Sequence, residues 1–479
     1  MVHDRTPLLR RDRPTRMSEP TPSPPQDPTR RRVLQGGAAL AAASLLPGCA
    51  GSAPPRKQAN VLFVLSDSHR AESTGCYGNP VVRTPSLDAF AAQGLRLGNA
   101  VSNTPICRPY RASLMSGRYC HHTGQLANSG EHNTFVDDRQ RWRPGDVPLL
   151  GRAFTDAGYR CGYFGKWHLG PGQVAAGVDR LGFDAGWTTS LWPTHEYYEW
   201  TYARAPGDLI EGGGYFRPIF ETDLALEFID QQSRDTPWFC FLSWGAPHDP
   251  FDPPEELRHY GRVKLPPNLP TDESRRYARL NLPLYYGMIE GVDREFGRLM
   301  QALETQGLAE DTLVVYTSDH GIMVGGHGLT GKEVPFSEST HVPLLMRWPG
   351  KLAAGASEDT LIGAPDLFPT LCGLAGLPPP ADVDGLDLSE RLRGRDPAPE
   401  RDAVYLAGHV GNLVPYPGWR GLRTKQHLYV ARPEGPWLLF DREGDPWEMK
   451  NLVDKGGALV DEMDGRLKQT MDEVGGVWG

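Results

Sequence analysis

The chain is short of cysteine, of basic excess and of long apolar runs, and each shortage removes a class of protein. Seven cysteines stand at positions 49, 76, 107, 120, 161, 240 and 372, and no two are spaced as CxxC. That argues against a zinc ribbon. An exported protein could form one or two disulfides, with a pairing that sequence does not reveal, and the plainer reading is that most of these cysteines are buried small hydrophobic residues. Lys and Arg number 50 against 59 Asp and Glu, a formal net charge of −9. A nucleic-acid binder needs the opposite balance to neutralise phosphates. Beyond the amino-terminal leader, no apolar run reaches the roughly 20 residues of a membrane-spanning helix. What is present, 39% hydrophobic and 23% charged residues over 479 positions, is ordinary globular composition. The length exceeds what one core usually organises, so one large domain with a smaller satellite is expected. The 55 glycines and 44 prolines predict long ordered loops.

The leader spans residues 1–58. Residues 1–29 are polar and rich in Pro and Arg, and read as disordered. Arg30-Arg31-Arg32-Val33-Leu34-Gln35 then precedes the small, apolar stretch Gly36 to Leu46, too short to span a bilayer. The paired arginines resemble a twin-arginine export signal. Leu45-Leu46-Pro47-Gly48-Cys49 resembles a bacterial lipoprotein cleavage box, with Cys49 as the acylated residue. The pattern predicts export to the periplasm or cell envelope and a lipid anchor. The plainer reading is cleavage at small residues with Cys49 incidental. Residues 50–58 read as a flexible tether.

The body repeats one arrangement. Val61 to Leu65, Tyr159 to Phe164, Trp238 to Trp244 and Thr312 to Thr317 are short apolar runs, the pattern of strands covered on both faces. Polar residues follow each: Ser66-Asp67-Ser68-His69, Gly165-Lys166-Trp167-His168, Ala246-Pro247-His248-Asp249-Pro250 and Ser318-Asp319-His320-Gly321. In open α/β sheets the carboxyl ends of strands are where ligands bind. Four such ends point to one site assembled from distant parts of the chain.

Helical patterns lie between them, over 86–94 with Ser86 as N-cap and over about 284–306. Alternating strands and helices predict an α/β three-layer sandwich with a large, mostly parallel mixed sheet, over 59–383. After a Pro-rich, charged stretch near 378–400, strand candidates at 419–424, 426–430 and 437–441 and a helix near 457–473 predict a small C-terminal antiparallel-sheet subdomain, 384–479.

Cys107-Arg108-Pro109-Tyr110-Arg111 opens a segment able to form a helix that Gly117 would end. The start of a helix favours negative charge, lowers a thiol's pKa and suits the oxyanion of a charged ester. Asp67, Asp319 and His320, each just past a buried strand, make an oxygen-rich site for a hard divalent ion such as Ca2+.

Cys107 with Pro109 and Arg111 at these offsets, after Thr104-Pro105, resembles the signature of the type I sulfatases of the alkaline-phosphatase-like superfamily. Gly165-Lys166-Trp167-His168-Leu169-Gly170 resembles that family's second signature, and the likeness runs from about 59 to 450. The resemblance implies oxidation of Cys107 to formylglycine by a formylglycine-generating enzyme. The aldehyde hydrate would then attack the sulfur of a sulfate ester. It further implies that Lys166 and His168 bind the sulfate and the hydrate, and that His248 faces the leaving oxygen. Lys332, after Gly331, would bind sulfate and assist the proton, and Arg111 would favour the ionised hydrate. Asp67, Cys107, Asp319 and His320 would hold the metal, and Asp319 would also act as base.

Two departures stand out. The family's first strand usually ends in paired acids, and here the second position is Ser68. The Glu expected after Phe336 is Ser337. His327, in a run of glycines, reads as loop architecture. A phosphonate monoester or phosphodiester hydrolase of the same superfamily is the rival reading, favoured by the lone Asp67. A silent lipoprotein that binds sulfated glycans is another, opposed by the intact set of polar residues. The loop 187–220 carries Trp187, Trp192, Tyr197, Tyr198, Trp200 and Tyr202, rings that could stack on sugar faces or simply pack the loop.

Overall fold

The structure is a computed structural model that describes residues 58–128, 149–169, 178, 181–190, 196–205, 208–395, 399–409 and 418–478. The leader, Cys49 and Trp192 lie outside the described residues. Strands β1 (Asn60–Ser66), β2 (Leu95–Val101), β3 (Arg160–Lys166), β4 (Gly186–Ser190), β5 (Glu199–Ala205), β6 (Asp208–Gly213), β7 (Trp238–Ser243), β8 (Thr312–Ser318), β9 (Leu344–Arg347) and β10 (Ala356–Gly363) form one ten-stranded sheet. Its spatial order is β10-β2-β9-β8-β1-β7-β3-β4-β5-β6. The run β8-β1-β7-β3-β4 is parallel throughout, and only β5 and β9 run against the other strands. The sheet is therefore mixed and mostly parallel, as expected.

The pleat divides the core between two faces. Along β1, Val61, Phe63 and Leu65 join one cluster, which includes residues of the helices Cys107–Ser116, Leu150–Asp156 and Ala364–Ala375. Leu62 and Val64 point the other way, into a cluster with the helices Pro85–Gln93, Arg217–Asp230 and Asp272–Thr305. Both faces of β1 are covered, so its apolar run is continuous rather than alternating. Each fully buried side chain of this kind contributes about 1.5–3 kcal/mol.

The helix expected from about 284 begins at Asp272 and runs straight through Pro283. Pro283 removes one backbone donor, but a capping box of Thr271 and Ser274 starts the helix, and Ala278 and Leu282 are buried upstream. Tertiary burial outweighs the local penalty. The first helix is preceded by Thr84 rather than Ser86, because Pro85 takes the first helical position.

A second, antiparallel sheet follows in the order β11 (Val404–Gly408), β12 (Trp419–Arg423), β13 (His427–Arg432) and β14 (Gly435–Asp441). The sequence pattern missed β11. The closing helix spans Ala458–Glu473 and packs Val460, Met463, Leu467 and Met471 against this sheet. All six cysteines among the described residues are free thiols, five of them buried, in line with the plainer reading of them as small hydrophobic residues. Among the described residues no helix is long and apolar enough to cross a membrane.

Candidate active site

The four chemistry-bearing strands are neighbours. β8, β1, β7 and β3 lie side by side and parallel, so Asp319, Asp67, His248 and Lys166 all arrive at the same edge of the sheet. Residues up to 252 positions apart along the chain are joined there by hydrogen bonds.

Cys107 is the first residue of the helix Cys107–Ser116, with Ile106 extended before it. Its Sγ is buried, 3.2 Å from His320 Nε2, 3.6 Å from Lys166 Nζ and 3.9 Å from Asp67 Oδ1. Burial and the Asp67 charge push the thiol's pKa up, yet Lys166, Lys332 and His320 together bring it below its ordinary value. The site thus favours an anion at this position.

Arg111, one helical turn on, is the hub beneath. Its Nε and Nη2 donate to Asp319 Oδ2 at 3.0 and 2.8 Å, and Nη2 also reaches Asp67 Oδ2 at 3.3 Å. Its Nη1 donates to Lys166 O at 3.0 Å and to Ser243 Oγ at 2.8 Å. Ser243, the last residue of β7, was not singled out from sequence; its signal was its place at the end of a buried run. Lys166 Nζ sits 2.5 Å from Asp67 Oδ2. Burial alone would raise the Asp67 pKa, but Lys166, with His248, His320 and Lys332, holds it well below the usual carboxylate range.

Ser68 bonds to both carboxylates. Its Oγ donates to Asp67 Oδ1 at 2.9 Å and its N–H donates to Asp319 Oδ1 at 3.2 Å. It adopts a left-handed φ of 70°, a conformation disfavoured for a non-glycine residue and held here by Tyr285 Oη donating to its carbonyl. The position of the missing acid therefore orients both remaining carboxylates.

Asp67, Cys107, Asp319 and His320 each present one ligand atom, all within 4.8 Å of one another and all buried. His320 Nδ1 lies 2.8 Å from the Gly321 carbonyl. With the proton on Nδ1, Nε2 is left to face Cys107 as an acceptor. Two carboxylates and an inward-facing imidazole nitrogen are a donor set able to hold a divalent cation.

Lys332 and His248 face each other, Nζ against Nε2, and both are buried. Burial works against the charge on Lys332, but Cys107, Asp67, Asp249 and Asp319 raise its pKa above the ordinary lysine value. His168 also has a left-handed φ, 56°. Burial, then the charges of Lys166, Arg108 and Arg111, lower its pKa far enough to keep it neutral. All the residues predicted from sequence thus fall in one neighbourhood. His327 does not serve it, since its ring stacks on Phe336 at 3.8 Å between centroids, as loop architecture. At Ser337, where an acid was expected, Glu448 from the C-terminal part supplies one, accepting from Ser337 N at 2.8 Å and from its Oγ at 2.6 Å.

Of the loop's six rings three are buried, Trp187 and Tyr198 are half-buried, and Trp192 lies outside the described residues. Tyr197, Trp200 and Tyr202 are 2%, 6% and 0% exposed, and Trp200 stacks on Phe220 at 4.2 Å. These three rings pack the protein and present no face to a sugar.

A mixed α/β sheet that gathers a buried thiol, paired cations and a metal-type donor set at one strand edge has the makings of a site for anionic esters. The chain's family follows from comparison with known proteins. The sulfatase family model matches residues 59–377, and that of the N-sulphoglucosamine sulphohydrolase C-terminal region matches 325–475. An ulvan-active sulfatase of Formosa agariphila is 32% identical over 436 residues, 87% of this chain and 81% of that protein. The chain belongs to the sulfatase family and is a sulfuric ester hydrolase. Its fold matches that of a protein solved with its substrate D-glucosamine-2-N,6-O-disulfate, at a TM-score of 0.76 and 23% identity, over 88% of this chain and 98% of that one. The fold is shared as well by the phosphonate monoester hydrolase of Agrobacterium radiobacter, at a TM-score of 0.68 and 23% identity, over 87% of this chain and 95% of that one.

Proposed function

We propose that this chain removes sulfate from a sulfated glycan, using formylglycine made from Cys107. The observation that carries the reading is the place of Cys107 Sγ at a helix start, between Lys166 Nζ and His320 Nε2 at 3.6 and 3.2 Å. Sγ marks where the oxygens of the hydrated aldehyde would stand. Oxidised and hydrated, Cys107 supplies a geminal diol: one hydroxyl attacks sulfur, and the other, on losing its proton, expels the sulfate. At 1% exposure Cys107 is closed off in the folded protein, which supports maturation by a formylglycine-generating enzyme before the site forms.

Lys166 and Lys332 place fixed positive charge where the sulfate oxygens gain charge, in a site with little water to screen it. His168, kept neutral, is suited to hydrogen-bond a substrate oxygen. Lys332 Nζ and His248 Nε2 share a proton in position for the departing alcohol. Asp319 Oδ1 takes the proton of the hydrate, while Arg111 fixes Oδ2. A divalent cation, Ca2+ by the donor set, would be held by Asp67, Asp319, His320 and oxidised Cys107, and would supply Lewis-acid polarisation of the sulfate. Treatment with a chelator is expected to lower turnover by about 100-fold, with recovery on adding Ca2+. Turnover unchanged after verified metal removal would count against the metal.

The glycan reading draws on an ulvan-active sulfatase and on a fold neighbour solved with a sulfated glucosamine as its substrate. Export on the twin-arginine-like signal, with a lipid anchor at Cys49, is part of the same proposal and would bring the enzyme to polymers outside the cytoplasm. The reading is tested with an aryl sulfate and the matching aryl phosphonate monoester. The sulfate is expected to turn over at least about 100-fold faster, as a difference in transition-state stabilisation of ~2.7 kcal/mol. A faster phosphonate would replace sulfatase by phosphonate hydrolase.

A further inference from the structure

The segment that presents His248 is held from below by a buried tyrosine. Tyr197 Oη lies 2.6 Å from the carbonyl oxygen of His248 and 3.0 Å from that of Gly245, so its single proton bridges both ends of the turn. The ring is seated by the Arg217 guanidinium, 5.1 Å from its centroid. Gly245 packs directly on that guanidinium; a Cβ there would come within 1.5 Å of Arg217 Nη2. Arg217 pairs with Glu221 at 3.5 Å, and Tyr202 Oη donates to the same carboxylate at 2.5 Å. On the opposite side, Asp67 N donates to Ala246 O at 3.2 Å. Among the described residues the turn 245–248 is tied to the strand end that carries Asp67, to Tyr197 and, through the Gly245 N–H, to Glu221. The imidazole itself meets the Asp249 carbonyl and carboxylate through Nδ1 and Lys332 through Nε2.

The geometry points to Tyr197 as a positioning residue for His248, holding its backbone so that the Lys332–His248 pair delivers a proton to the leaving oxygen. The inference rests on the reading of His248 as part of the proton donor. A misplaced donor matters only where the leaving group needs a proton. An acidic phenol leaves unaided, whereas a basic phenol or a sugar alcohol does not.

The test is a series of aryl sulfates graded in the acidity of the leaving phenol, assayed with the parent protein, Tyr197→Phe and His248→Ala. Phe keeps the ring on Arg217 and removes only the hydroxyl. For Tyr197→Phe, kcat/KM is expected to fall about 10- to 100-fold for the most basic phenol and less than about threefold for 4-nitrophenyl sulfate, so the leaving-group dependence steepens. His248→Ala should show the same pattern, more strongly. The ratio between two substrates cancels any loss of folded or oxidised enzyme, so a poorly folding variant still reports. Equal losses across the series for Tyr197→Phe, or none, with a selective His248→Ala, would overturn the role of Tyr197 alone. An unselective His248→Ala would overturn the assignment of His248 itself.

Discussion

Replacing Cys107 with alanine is expected to lower sulfate-ester hydrolysis by at least about ten-thousand-fold, the loss of a covalent nucleophile whose partners act as one unit. Lys166, Lys332 and His320 stay in place around the missing atom, so substrate binding should survive while turnover does not. Serine is the sharper substitution. Its hydroxyl could accept a sulfate, but it lacks the second hydroxyl needed to expel the group. Cys107→Ser should thus show at most a single turnover, seen as a stable covalent adduct on that peptide. The parent peptide, from a host able to make formylglycine, should be about 18 Da lighter than its thiol form, as the change from thiol to aldehyde requires. An intact thiol in active enzyme would overturn the mechanism.

Replacing Asp319 with alanine is expected to cost both folding and catalysis. Arg111 is 1% exposed and takes its two shortest carboxylate bonds, 3.0 and 2.8 Å, from Asp319 Oδ2; the Asp67 contact is longer, at 3.3 Å. Removing one partner of a buried ion pair leaves an uncompensated charge, and such changes cost about 3–5 kcal/mol. The same carboxylate is half of the acidic donor set for the cation and the proposed base. A loss of unfolding free energy of this size, with turnover at least about 1,000-fold lower, is the expected result, read by denaturant titration and by assay of the folded fraction. A variant as stable as the parent would show that Ser243 and Asp67 suffice to hold Arg111.

Much of the site was legible because short motifs follow buried strands. Asp67, Lys166, His248 and Asp319 could be placed together from four apolar runs and a general rule about parallel sheets. Cys107 at a helix start was readable from the helix-forming run after it. Ser68, Ser243 and Tyr197 were not readable in their roles, for one reason. Each acts through a hydrogen bond to a residue from another strand or segment, and no local pattern marks such a partner. The aromatic loop misled in the same way, since the spacing of Tyr197, Trp200 and Tyr202 is equally compatible with rings turned outward and rings turned in. β11 was missed because its partner β12 lies beyond a connection the sequence pattern does not bridge, and Pro283 hid the first turns of the long helix.

Sequence by itself determined the class of fold and singled out Cys107 and the polar residues that gather around it, because strand burial, helix starts and motif spacing are local properties that survive without coordinates. Tertiary structure decided which carboxylate oxygen meets Arg111, that Ser68 braces Asp67 and Asp319 where an acid was expected, and that Glu448 supplies the acid missing at 337. Those outcomes depend on strand order and register. Strand order made β8, β1, β7 and β3 neighbours, and contacts across a sheet join residues that the chain keeps far apart.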